Sequence, residues 1–136
     1  MDDVAQGDQE EIMTSEEFEK VVQEVLDTLP EEFQEHLGNL LIVVEDEPND
    51  EQKRILHLRK HVILYGLYQG VPLNYPGRER MVRPPDTISI FRNSIMDSYS
   101  DIDGIKLQIR STVLHEIGHY FGMSEGQLRN LRKKYK

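Results

Sequence analysis

The 136-residue chain has no cysteine. That excludes disulfides and thiolate metal sites, and it permits a reducing compartment. Long apolar runs are missing as well. The longest, "LLIVV" at Leu40–Val44, is far short of a membrane span and reads as a buried strand. The opening "MDDVAQGDQEE" lacks both the basic start and the apolar core of a signal peptide, so a cytoplasmic, membrane-free protein is expected. Positive charge is scarce in the first 52 residues, where eighteen Asp and Glu face one lysine, Lys20, for −17. The remainder reverses this, with fifteen Lys and Arg against seven acids for +8, and the whole chain carries −9. An overall negative charge repels phosphate, and no basic motif interleaved with aromatics is present, so nucleic acid is not an expected partner.

What is present suits one soluble domain. Hydrophobic residues make up 38% and charged residues 30%, enough for a single core under a highly charged surface. Residues 1–13 are acidic with little to bury and read as a disordered tail, leaving 14–136 as the domain. "TSEEFEKVVQEVLDTLP" opens with a cap at Thr14 or Ser15 and repeats Phe18, Val21, Val22, Val25, Leu26 and Leu29 at helical spacing. Pro30 ends that helix and starts a second, "EEFQEHLGN", with Gly38 as its stop. "LLIVVED" reads as a strand, "DEQKRILHLRKH" as a weakly marked helix, and "VILYGLYQG" as a strand leading into turns. Thr87–Phe91 reads as a short strand after Pro84–Pro85. A long helix then begins near Asp103, the expected cap, and ends at Gly122. A final helix follows, capped by Ser124. This order is α+β rather than a regular βαβ series.

The chemistry concentrates in "TVLHEIGHYFGMSE", residues 112–125. Residues i and i+4 share a helix face, so His115 and His119 can turn two imidazole nitrogens toward one point. Such a pair suits zinc, and Glu116, next on the helix, is placed to act as general base on a bound water. Positions 108, 111, 115, 118, 119 and 122 form a polar or small stripe flanked by Ile105, Ile109, Val113, Leu114, Ile117 and Phe121. That is the pattern of a helix lining a cleft; a solvated or core-satisfied histidine pair is the plainer alternative. Gly122 allows a sharp turn, so Glu125 is available as a third ligand, or it is an exposed acid in the first turn of the last helix. His36, His57 and His61 read as ordinary surface residues. The His57/His61 pair has no glutamate after His57 and no nearby third ligand.

"HEIGHYFGMSE" resembles the extended motif of the metzincin zinc peptidases, with Glu125 where those usually carry histidine or aspartate. The chain more closely resembles a family of small bacterial zincin-like metallopeptidases, sometimes called minimal metalloproteases. The matching pieces are "FEKVVQEVLDTLPEEF", "LLIVVEDEP", "LYGLYQGVPL", "PPDTISIFRNSI" and "TVLHEIGHYFGMSEGQLRNL". The resemblance implies a bacterial source and a compact zincin-like α+β fold, with a small mixed sheet against the active-site helix. It also implies one zinc per chain held by His115, His119 and Glu125, with Glu116 as base, and a peptide or protein substrate; separately, a monomer is expected. Metzincins place a methionine turn well downstream of the motif; here eleven residues follow Glu125 and none is methionine.

Further expectations concern the substrate. "TISIF" is the candidate sheet edge for a bound peptide strand. Arg78, Arg80 and Arg83 could reach a substrate carboxylate unless their loop is merely solvated. Tyr68, Tyr75 and Arg92 are the candidates for stabilising an oxyanion. Two rival readings stand beside hydrolysis. One is a zinc-binding but inactive scaffold serving as a binding module. The other is a metal-free interaction module built on the charged stretch from Glu51 to His61.

Overall fold

The computed structural model describes residues 12–56 and 63–134. The acidic stretch before Ile12 and the His57/His61 pair lie outside the described residues. Helix α1 (Ser15–Asp27) begins with a capping box: Thr14 Oγ1 accepts from the Glu17 amide at 3.1 Å, and the Glu17 carboxylate accepts from the Thr14 amide at 2.8 Å. Phe18, Val21, Val22 and Val25 form its buried face, and Met13 just before it is buried too. After Pro30, α2 (Glu31–Gln34) lasts a single turn and passes into a 3₁₀ turn at Leu37–Asn39 that contains Gly38. The expected longer helix does not form. No residue of Glu31–Gln34 is fully buried and only Phe33 packs against the core, so a longer helix has little to stabilise it.

Strand β1 (Leu40–Glu45) leads to α3 (Asp50–Ile55), whose own capping box joins Asn49 and Gln52. Strand β2 (Gly66–Gln69) follows, then a turn-rich loop, then β3 (Asp86–Phe91), α4 (Arg92–Ser98), α5 (Ile102–Tyr120) and α6 (Glu125–Lys134). No sequence signal marked α4: it has no side-chain cap and is held by the burial of Ile95. The cap of α5 is Asp101, whose carboxylate accepts from the Gly104 amide at 2.7 Å; Asp103, the expected cap, sits inside the first turn, where its charge favours the helix dipole. Ser124 caps α6 as expected, exchanging hydrogen bonds with Gln127.

The sheet has the order β1–β3–β2. β3 runs parallel to β1 and antiparallel to β2, so "TISIF" is the central strand and not an edge. The prolines at 84 and 85 precede the strand and leave its amides free to pair on both sides. Burial of Ile88, Ser89, Ile90 and Phe91 on both faces agrees with that place. Ile105, Ile109, Val113, Leu114 and Ile117 of α5 are buried in one core with α1 and β3, each such side chain contributing about 1.5–3 kcal/mol. The result is an α+β architecture with six α-helices and a three-stranded mixed sheet among the described residues.

Two close approaches set α5 in place. Gly66 of β2 faces it; a Cβ there would meet Thr112 Cγ2 at 2.5 Å and Glu116 Cγ at 3.3 Å. Gly118 faces α6, and a Cβ would overlap the Leu128 side chain. Strand and helix can therefore both reach the stretch that carries the histidines.

Candidate metal centre

His115, Glu116 and His119 lie on the last two turns of α5. The His115 and His119 Nε2 atoms stand 3.0 Å apart, with the rings crossed at 80°. Two nitrogens bound to one zinc at about 2.0–2.1 Å can be no further apart than about 4.2 Å, so this spacing fits a shared ion. One carboxylate oxygen of Glu116 completes a group whose ligand atoms all fall within 4.8 Å of one another. Both histidines are half-buried and Glu116 is only 9% exposed. A donor set of two imidazoles and a carboxylate this close together could hold a divalent metal.

Burial dominates the electrostatics. It pushes the Glu116 carboxyl up to about 7; the Glu125 charge adds to this, and a hydrogen bond from the Tyr68 amide opposes it. Burial also pulls His115 below the ordinary histidine value, with help from His119 and Arg132 and against Glu125. Both groups thus favour their neutral forms, as desolvation requires.

Glu125 is the first residue of α6 and is exposed. It stands outside the three-residue group, yet its charge reaches both His115 and Glu116. The turn that brings it round is made by Gly122, at φ +77° in the left-handed region, where a Cβ would also strike the Asn74 side chain. Asn74 Nδ2 donates to the Gly122 carbonyl at 3.2 Å, and the Leu73 amide donates to the Tyr120 carbonyl at 2.8 Å. The loop after β2 is thereby clipped to the end of α5, directly after His119.

The other candidates are engaged elsewhere. The Tyr68 hydroxyl donates to Asp86 Oδ2 at 3.0 Å. Arg92 is 3.5 Å from Asp46, and Tyr75 is exposed. Arg78 and Arg83 do not wait for a substrate carboxylate. Arg78 Nη2 lies 2.8 Å and Arg83 Nε 3.6 Å from the buried Asp86. Arg80 is exposed and pairs weakly with Glu79.

Three contributors escaped the sequence reading. The Tyr68 amide touches Glu116 because β2 runs past α5. Gly66 had a signal, since a glycine inside a strand marks a close backbone approach. Arg132 had none: its guanidinium lies against His115 Nδ1 across the α5–α6 interface.

The α+β fold carries H-E-x-x-H on a helix beside β2, an edge strand of the described sheet. The sequence model of the zincin-like metallopeptidase family matches residues 37–135, and the chain belongs to that family. Among solved structures it is similar to a conserved hypothetical protein from Thermo thermophilus, at 21% identity and a TM-score of 0.52, covering 89% of this chain and 99% of that one. That likeness is one of fold. No curated protein matches the chain significantly. No helix among the described residues is long and apolar enough to cross a membrane.

Proposed function

We propose that the chain is a zinc-dependent peptidase in which His115, His119 and Glu125 hold the ion and Glu116 is the general base. The observation that carries this reading is the convergence of the two Nε2 atoms at 3.0 Å with the buried Glu116 carboxylate beside them. Glu125 makes no hydrogen bond or ion pair among the described residues, so its exposed carboxylate can turn toward the pair. When bound, zinc supplies a Lewis acid for a carbonyl and lowers the pKa of water. Glu116 would take a proton from an attacking water and hand it to the leaving amine, a task suited to a carboxyl raised toward neutrality. A cation next to Glu116 also favours its ionised, proton-accepting form.

The peptide is placed along β2 rather than along "TISIF". The Phe91 amide donates to the Tyr65 carbonyl, so Tyr65, Leu67 and Gln69 spend their backbone groups on β3. Gly66 and Tyr68 therefore turn theirs to the opposite edge, the side from which the Tyr68 amide reaches Glu116. An extended peptide added there would pass the histidine pair and could pair with Gly66 and the Tyr68 carbonyl, the Tyr68 amide being engaged by Glu116.

The test is metal analysis of the purified chain beside His119→Ala and Glu125→Ala, followed by a peptide-library digest. About one zinc per chain is expected, lost in His119→Ala and weakened in Glu125→Ala. Cleavage should stop with chelator and in Glu116→Gln, which keeps its zinc. Cleavage by Glu116→Gln would remove Glu116 as base. Zinc without cleavage would favour the binding-scaffold reading.

A further inference from the structure

A second feature lies one helical turn from the histidines. Between α5 and α6 runs a groove of about 450 Å³ that takes four cationic side chains: Arg110 from α5, and Arg129, Arg132 and Lys133 from α6. No aspartate or glutamate lines it. The groove lies in the part of the chain, residues 53–136, that carries +8. The helix dipole accounts for part of the pattern, since Arg132 and Lys133 sit in the last turn of α6 near its negative pole. It does not account for Arg129, which lies earlier in the helix, or for Arg110 on the facing helix. Arg129 and Lys133 have no carboxylate partner among the described residues. Arg129, Arg132 and Lys133 follow i, i+3, i+4 spacing, so one face of α6 carries them all toward α5.

The walls between the charges are apolar. The Leu107 side chain, 58% exposed, and the half-buried Tyr99 ring flank the cations, and Leu114 forms the floor. A small inorganic anion would use the guanidinium groups and leave these surfaces in water. A segment alternating acidic and apolar side chains would use both. Arg132 joins the groove to the metal centre, because the same guanidinium touches His115.

We propose that this groove binds an acidic, partly apolar peptide segment, and that it thereby selects acidic substrates for the site beside it. The selection rests on the peptidase reading; the binding does not require hydrolysis. Charge-assisted hydrogen bonds from arginine to carboxylate supply the recognition, and the leucine and tyrosine surfaces add burial.

The experiment uses a fluorescein-labelled hexapeptide of alternating glutamate and leucine, and the same peptide with glutamine for glutamate. Anisotropy is followed on full-length, zinc-loaded Glu116→Gln, which cannot turn the peptide over. The acidic peptide should bind at least tenfold more tightly than the glutamine peptide. Its affinity should fall about tenfold on adding Arg129→Ser and Lys133→Ser, exposed substitutions that leave circular dichroism and zinc content unchanged. Equal affinity for the two peptides, an undiminished affinity in the double substitution, or tighter binding of a single-stranded oligonucleotide would each overturn the proposal. Selective binding of the acidic peptide, with no cleavage of it by the wild-type chain, would support the groove and overturn the peptidase reading alone.

Discussion

Glu116 is a carboxylate buried beside the histidine pair. Its carboxyl is raised from 4.5 to about 7, chiefly by burial. In the metal-free protein this has a defined sign. The unfolded chain gives up the proton near 4.5, whereas the folded chain keeps it until about 7. Between these values the folded state holds more protons, so this group makes stability fall as pH rises. The shift corresponds to at most about 3 kcal/mol. Glu116→Gln cannot ionise. In chelator, urea melts at pH 5 and pH 8 should show wild type losing up to that amount relative to Glu116→Gln. Parallel stability in the two proteins would mean that Glu116 is not buried in the way described. The residue types of this site were legible at once, because H-E-x-x-H spacing and helix geometry alone bring the two rings together. The raised carboxyl was not, because the burial that raises it includes β2 at Gly66, which lies 50 residues away in sequence.

Elements are held in place here by residues that leave room. Gly118 lies in the middle of the motif and has no left-handed backbone to explain it. Its role is contact: the buried Leu128 side chain occupies the space a Cβ would need. Ala is the better helix former by about 1 kcal/mol. Gly118→Ala should nonetheless destabilise the protein by about 1–3 kcal/mol, because Leu128 sits in a packed interface and cannot withdraw. Denaturant melts of Gly118→Ala, Leu128→Ala and the double substitution should give less than additive losses, since the smaller side chain accepts the new methyl. Strict additivity would show that the two helices are not in contact through this pair. The sequence reading placed Gly118 on the polar cleft stripe by spacing. The structure gives that face to α6, which only the Gly122 turn and the packing of Leu128 could decide.

At the scale of the molecule, one buried charge ties the loop after β2 to the sheet. Asp86 is 1% exposed and receives Arg78, Arg83 and the Tyr68 hydroxyl, while the Arg78 guanidinium also lies 5.9 Å from the Tyr120 ring centre. Strand β2, the loop and the end of α5 thus share one anchor. Removing one partner from a buried ion pair leaves the other charge without compensation. Asp86→Ala should therefore cost about 3–5 kcal/mol in thermal or urea unfolding, while zinc stoichiometry at low temperature is retained. A loss below about 1 kcal/mol, the scale of an exposed pair, would mean that the loop arginines are solvated after all.

The sequence by itself determined the pieces whose causes are local. These are the capped helices α1 and α6, the apolar stripe of α5, the turn at Gly122, and the pairing of His115 with His119 beside Glu116. Each depends on spacing within a few residues, where helix period, capping and backbone freedom leave little choice. Tertiary structure alone decided that "TISIF" is central and β2 an edge among the described strands, that Asp86 takes the loop arginines, and that Arg110 lines one groove with the cations of α6. These outcomes depend on which strands pair and which helix faces meet, and such choices are made by burial over long sequence separations, which no local pattern encodes.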